Sequence, residues 1–418
     1  MALTIARRRV LVCAYACEPD RGSEPGVGWG AVCGLARYHD LLVVTRANNR
    51  AKIEAASLPP GVNIRFVYFD LSPALQRLKR SPGGVYWYYY LWQIAAGRWL
   101  VRSVLPEQPV DAAIHSSFAA CWLPSLTSRL GVPYIVGPVG GGERVPAELR
   151  KHFSWRARGW ETARIVMQNM CIRMPAVRRT LRRATFVLAS THETLAWLGR
   201  LGVAAQVLPP CWFNENALTH SIGRLSPEPE RFVLMSAGKL VAWKGFALGL
   251  RAFAAALPQL PEAEYWIAGT GPQRRALAVL AAQLGIAEHV RWLGDLPRDD
   301  LLRAMAQCTL LIHPSMHDSA SWVCLEALAL GKPVVGLRTG ATAHQVDADC
   351  GVLIDVAQGM AAVESQMTDA LVTLARDPRA YQRKSDAARK RFRDVLSADH
   401  FLPELAQLLT QIADGRPI

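Results

Sequence analysis

Apolar residues recur along this chain in two rhythms: short unbroken runs rich in Val, Ile, Leu and Phe, and longer stretches in which apolar positions return every third or fourth residue. The runs read as buried strands and the longer stretches as helices with one apolar face. In the first half the runs predict strands over residues 10–16, 41–45, 64–69, 112–115, 134–136, 186–189 and 206–208. Pro209 and Pro210 end that alternation, and residues 211–229, with Pro227 and Pro229, read as a linker. A second block starts at Arg231, with strands predicted over 232–236, 265–268, 290–293, 309–314, 333–337 and 352–354. Helices are expected between them over 246–256, 273–284, 299–306 and 322–330, and a last one over 398–412. Strands that alternate with helices build parallel sheets covered on both faces. Two such blocks predict an α/β chain of two Rossmann-like domains facing a cleft, spanning 1–210 and 230–397, with 398–418 as a closing helix.

One stretch breaks the rhythm. Residues 85–105 read VYWYYYLWQIAAGRWLVRSVL, long enough to cross a bilayer but interrupted by Gln93, Arg98 and Arg102. A buried core helix is the leading expectation, and an interfacial helix with its Tyr and Trp at headgroup depth is the rival.

Composition narrows the class. The 418 residues are 51% hydrophobic and 20% charged, enough for two ordinary cores. Nine cysteines without a CxxC pair argue against a disulfide framework or a zinc site, and a cytoplasmic setting fits them. The apolar run after Arg7, Arg8 and Arg9 is short and leads into a Gly-rich loop, so it reads as a first strand rather than a secretory signal. The formal charge of +14 is unevenly spread: between Arg144 and Arg183 eleven bases face two acids, with Phe153, Trp155 and Trp160 interleaved. Such a segment suits an anionic membrane surface. Nucleic acid and a plainly solvated helix face are the competing readings, and no nucleic-acid partner is expected.

The candidate chemistry lies at predicted strand ends. In HPSMHDSASWVCLEALALGKPVV, Asp318 falls in a loop and Glu326, eight positions on, falls on the following helix. Ligands of open α/β sheets bind at the carboxyl ends of strands, and the free amides of a helix start, here Ser321, Trp322 and Val323 through Cys324, suit a phosphate. After the first strand comes CEPDRGSEPGVGWGAV, where Gly22, Gly26, Gly28 and Gly30 precede or open a helix, in a segment that either approaches a ligand closely or makes a tight structural turn. In SAGKLVAWKGF, Gly238, Lys239 and Lys244 follow the first strand of the second block, where two ammonium groups can offset a diphosphate. IAGTGP, with Gly269 and Gly271, is another strand-to-glycine turn, and His115 ends a strand in VDAAIHSS. Asp347-Ala348-Asp349 falls in a late turn away from these strand ends, so no metal clamp is expected.

These residues together resemble glycosyltransferase family 4, retaining enzymes of the GT-B fold, whose signature is two acids separated by seven residues. The first acid here is Asp318 where the family usually has Glu, and Ala320 and Ser321 stand where glycines are common. GSEPGVGW, intact from Gly22 to Trp29, and GPVGGGE at 137–143 resemble one subgroup. The resemblance implies that Asp318 contacts the donor sugar and Glu326 the ribose. It implies that Lys239 and Lys244 face the diphosphate, and that Gly238, Gly269 and Gly271 line the nucleotide pocket. Segment 291–294 would then lie near the base, the Gly22 loop near donor phosphate or acceptor, and His115 opposite the sugar, although a lone strand-end His also reads as structural. The first domain would bind the acceptor, the second the nucleotide sugar, and the last helix would return to the first domain. The implied reaction is sugar transfer to a glycan or lipid-linked glycan with retention and without a metal or cofactor, in bacterial polysaccharide or glycolipid assembly, in the cytoplasm or on the inner face of the membrane. A sugar-nucleotide epimerase of the same fold and a non-catalytic anionic-polymer binder remain open.

Overall fold

The computed structural model describes residues 5–81, 83–208, 211–215, 218 and 231–416. The first sheet contains β1 (Arg9–Ala14), β2 (Asp40–Thr45), β3 (Ile64–Tyr68), β4 (Ala112–Ser117), β5 (Tyr134–Val139), β6 (Phe186–Ala189) and β7 (Gln206–Val207). The second contains β8 (Val233–Ala237), β9 (Glu264–Ala268), β10 (Val290–Gly294), β11 (Leu310–His313), β12 (Val334–Leu337) and β13 (Gly351–Ile354). Strand order is β3-β2-β1-β4-β5-β6-β7 in one and β10-β9-β8-β11-β12-β13 in the other, and the named strand pairings are parallel. In each sheet the order reverses beside the first strand, which opens a crevice at the strand carboxyl ends. The linker expected over 211–229 lies largely outside the described residues.

The chain divides into two compact units, residues 1–142, 165–212 and 401–418 in one and residues 143–164 and 213–400 in the other. Two excursions depart from the linear split. Val145 and Leu149 are buried in one cluster with Leu234, Phe246 and Ile267, so residues 143–164 belong with the second sheet. The closing helix, Ala398–Ala413, packs on the first: Leu402 lies over Gly34, the Ala406 carbonyl is 3.0 Å from His39 Nε2, and Asp414 pairs with Arg8 at 2.7 Å.

One face of the aromatic stretch is core, and Val85, Tyr86, Leu91 and Val101 are exposed. Helix Gly84–Trp99 buries Tyr88, Tyr89, Trp92 and Ala96 against Leu11 and Cys13 of β1, while Trp87 points outward. Among the described residues no helix is long and apolar enough to cross a membrane.

Candidate functional site

In the second unit the carboxyl ends of β8 and β9 frame a cavity of about 400 Å³. Gly238, Lys239, Gly269 and Gly271 line it with Thr270 and Asp295. Four of the residues singled out in the sequence therefore meet in one place. Lys239 is exposed, so its ammonium is available to an anion there.

Lys244 lies a few residues beyond and is ion-paired with Asp318, each with about one-seventh of its side chain exposed. Its ammonium also sits 4.8 Å from the Trp243 ring centre. Burial on its own would raise the Asp318 pKa, but Lys244 and His313 outweigh it and hold the carboxyl well below the usual range. Asp318 is therefore a fixed carboxylate that accepts hydrogen bonds; it is too weak a base to take a proton at neutral pH.

The loop that carries Asp318 is clamped by its neighbours. Met316 N donates to Trp243 O at 2.8 Å, Ala341 N to Asp318 O at 2.8 Å, and Thr339 Oγ1 to Ser315 O at 2.8 Å. Gly245 has φ of +70°, and a Cβ there would lie 2.1 Å from the Pro314 carbonyl oxygen. Only glycine lets this turn approach β11 closely enough to set Lys244 against Asp318. Ser321 takes φ of +39°, a backbone region that favours glycine; it is buried, with Oγ 3.2 Å from Thr342 Oγ1. Its amide and that of Ala320 turn back to Asp318 Oδ1 at 3.3 and 3.4 Å. The Ser321 amide is thus taken, whereas that of Val323 has no acceptor among the described residues. Trp322 packs edge-on against Phe213.

Glu326 is 4% exposed and would be untenable as an anion without a partner. Arg298, at the start of helix Arg298–Gln307, supplies one: Nη1 donates to Glu326 Oε1 at 2.5 Å. Burial still raises the Glu326 pKa, with Arg298 opposing. Sequence reading missed Arg298, whose helix-start position marks it only as a neighbour of the cavity residues Asp295, Leu296 and Leu301.

A second group also escaped the sequence. His317 stacks on Trp243 with ring centres 4.4 Å apart, and its Nε2 is 3.7 Å from Glu161 Oε2. Arg164 holds Glu161 bidentately at 2.5 and 2.9 Å. Burial pushes the His317 pKa down to about 4, with Arg164 adding to the effect. The ring is neutral in the folded protein and charged below its ordinary value once unfolded, so it favours folding above that value and loses this contribution as pH falls towards 4. His317→Phe keeps the stack and removes the titration. We expect the variant to lose about 3 kcal/mol less than wild type between pH 7 and pH 4; an unchanged difference in urea-unfolding free energy would show that His317 is not the group responsible.

Lys244, Asp318, Ser321, Trp322, Val323 and Glu326 lie in the same unit but are not among the residues that line this cavity, and Gly22, Gly26 and His115 belong to the first unit. Gly22 precedes helix Ser23–Ala36 and Gly26 lies in its first turns, so these glycines precede and open a helix as the sequence predicts. Gly28 faces the Ala16 carbonyl, where a Cβ would stand 1.9 Å from the oxygen, so at this position glycine serves close packing of helix on loop. Glu24 Oε2 accepts from Phe118 N at 2.5 Å. His115 is buried, with Nδ1 2.8 Å from Ser125 Oγ and Nε2 3.0 Å from Tyr89 Oη, and burial lowers its pKa to about 4. Both ring nitrogens are occupied. Asp347 is spent on its own turn, Oδ1 accepting from Asp349 N and Cys350 N at 3.0 Å and Oδ2 from Arg391 at 2.6 Å.

Two parallel-sheet, Rossmann-like halves define the GT-B class of fold. The structure matches that of WaaG, a glycosyltransferase involved in lipopolysaccharide biosynthesis, with a TM-score of 0.61 over 96% of this chain and 99% of that one at 20% identity. It matches Anabaena Alr3699/HepE, solved in complex with UDP and glucose, with a TM-score of 0.61 over 97% and 100% of the two chains at 16% identity. In sequence, residues 221–391 match the family Glycosyl transferases group 1. The lipopolysaccharide core biosynthesis glycosyltransferase LpsE of Rhizobium meliloti (strain 1021) is 34% identical over 141 residues, which is 33% of this chain and 40% of that protein. The match thus spans less than half the length of that relative.

Proposed function

We propose that this protein is a retaining, metal-independent hexosyltransferase that moves a sugar from a nucleotide-sugar donor to a glycan or lipid-linked glycan. The second unit binds the donor, the first binds the acceptor, and the work is bacterial polysaccharide or glycolipid assembly on the cytoplasmic side, with the protein peripheral on the inner membrane face. The observation that carries this reading is the cavity at the ends of β8 and β9, lined by glycines and Lys239, with the Lys244–Asp318 pair close by in sequence and fold. A diphosphate seated there meets two ammonium groups at the point where negative charge grows as the glycosidic bond breaks. Asp318, permanently ionised, accepts hydrogen bonds from sugar hydroxyls and fixes the ring. Glu326, held by Arg298, does the same for ribose hydroxyls. No side chain is assigned as nucleophile: the acceptor oxygen attacks on the face from which the nucleotide leaves, and the departing phosphate takes its proton. His115, saturated by Tyr89 and Ser125, is a supporting residue of the first unit and not a reacting one.

Thermal shift with a panel of nucleotide sugars tests the reading, UDP-sugars first because a neighbour of the same fold was solved with UDP. A true donor at a hundredfold excess over its Kd raises the Tm by about 5–10 °C. A panel without any shift would sink the donor site, and turnover of the donor sugar without an acceptor would replace transfer by epimerisation.

A further inference from the structure

A second cavity, of about 450 Å³, opens in the first unit among the end of helix Trp155–Cys171, helix Pro175–Arg183 and helix His192–Arg200. Ile172, Leu181 and Trp197 form its buried apolar floor, and the exposed Arg173, Arg178 and Arg182 stand around it. Among the described residues no carboxylate pairs with these three, and helix Pro175–Arg183 carries four arginines and no acid. The positive field extends further: Arg129 has its pKa lowered by burial and then by Arg179 and Arg98. Unneutralised guanidinium groups around a hollow repel one another, and an anion seated among them removes that repulsion.

The rim identifies the kind of anion. Val166 and Met170, three residues before the cavity-lining Asn169 and next to it on the helix that ends at Cys171, are 51% and 65% exposed. A free anion has no use for exposed apolar side chains beside it. A nucleic acid stacks its bases on open aromatic faces, and Trp197, the aromatic of this cavity, is 8% exposed. Apolar side chains beside a cationic hollow suit the boundary between headgroups and acyl chains.

We propose that this cavity seats the phosphate of an anionic phospholipid headgroup, with Val166 and Met170 entering the interface. The proposal rests on the peripheral-membrane part of the reading above and deepens it by naming the seat. Helix Pro175–Arg183 offers an internal control, because Arg178 and Arg182 line the cavity whereas Arg179 and Arg183, exposed on the same helix, do not.

The test is partition of the full chain into vesicles of phosphatidylglycerol and, separately, of phosphatidylcholine. Wild type binds the first and not the second. R178Q/R182Q weakens binding about thirtyfold, whereas R179Q/R183Q, with the same loss of charge, weakens it by no more than about threefold. Equal losses in the two variants overturn the seat while leaving peripheral attachment standing. Absence of wild-type binding removes attachment and seat together, and the nucleotide thermal shift of the same preparation shows whether the donor site survives. Displacement of vesicles by inorganic phosphate at constant ionic strength, or by a short RNA at comparable concentration, marks a free-anion or nucleic-acid site and likewise overturns the proposal.

Discussion

Lys244→Met is expected to lower the transfer rate by about 10² to 10³, the scale of losing one preorganised electrostatic group at a reacting centre. Methionine keeps the apolar stem beside Trp243 and removes the charge. Stability falls as well, because Asp318 is left in a largely buried place without its main counter-charge, and breaking one side of such a pair costs about 3–5 kcal/mol. Loss of rate through misfolding and loss of rate through missing charge have to be separated. The double variant Lys244→Met/Asp318→Asn does so: with neither charge present the stability deficit shrinks, whereas the rate stays low. Urea-unfolding curves and kcat with the donor found by thermal shift read the two quantities independently. Recovery of rate along with stability would make the pair a structural clamp and remove Lys244 from the chemistry.

All thirteen strands among the described residues were legible, because buried parallel strands write themselves as short apolar runs, and their ends fell within three residues of expectation. The meeting of Gly238, Lys239, Gly269 and Gly271 was legible for a related reason, since each follows a strand and parallel strands deliver their carboxyl ends to one edge. What escaped was long-range and polar. Arg298 lies 28 positions before Glu326, and helix-start arginines are common enough that nothing local marks it as the counter-ion. The fate of 143–164 was hidden because Val145 and Leu149 look the same whichever core they join. The glycines of GSEPGVGW precede or open a helix as expected, but spacing alone did not show that Gly28 packs close on the Ala16 carbonyl. His115 was placed correctly on a strand, yet its saturation depends on Tyr89 and Ser125, brought there by an aromatic helix and a short turn that spacing alone does not align.

Arg298→Met should produce a stability deficit that depends on pH in a direction the geometry fixes. With the guanidinium present, Glu326 is buried, charged and paired. Without it the carboxyl faces burial alone, and its pKa, already raised, moves higher. A group whose folded pKa lies above its unfolded one contributes fully below the unfolded value and loses that contribution as pH rises through the folded one. The variant is therefore close to wild type near pH 3, below the ordinary Glu range, where Glu326 is protonated in both states, and falls short by about 3–5 kcal/mol at pH 8, where a lone buried carboxylate must either ionise or hold its proton against solvent. Arg298→Met/Glu326→Leu, with no charge to bury, recovers most of the deficit at pH 8 and becomes insensitive to pH. Donor affinity behaves differently: it is low in both variants, because a neutral carboxyl accepts from a ribose hydroxyl more weakly than a carboxylate and leucine does not accept at all. Unfolding free energies at the two pH values decide the electrostatic claim, for a deficit that is the same at pH 3 and pH 8 would mean that Arg298 stabilises through packing on Trp322 and Phe213 rather than through Glu326.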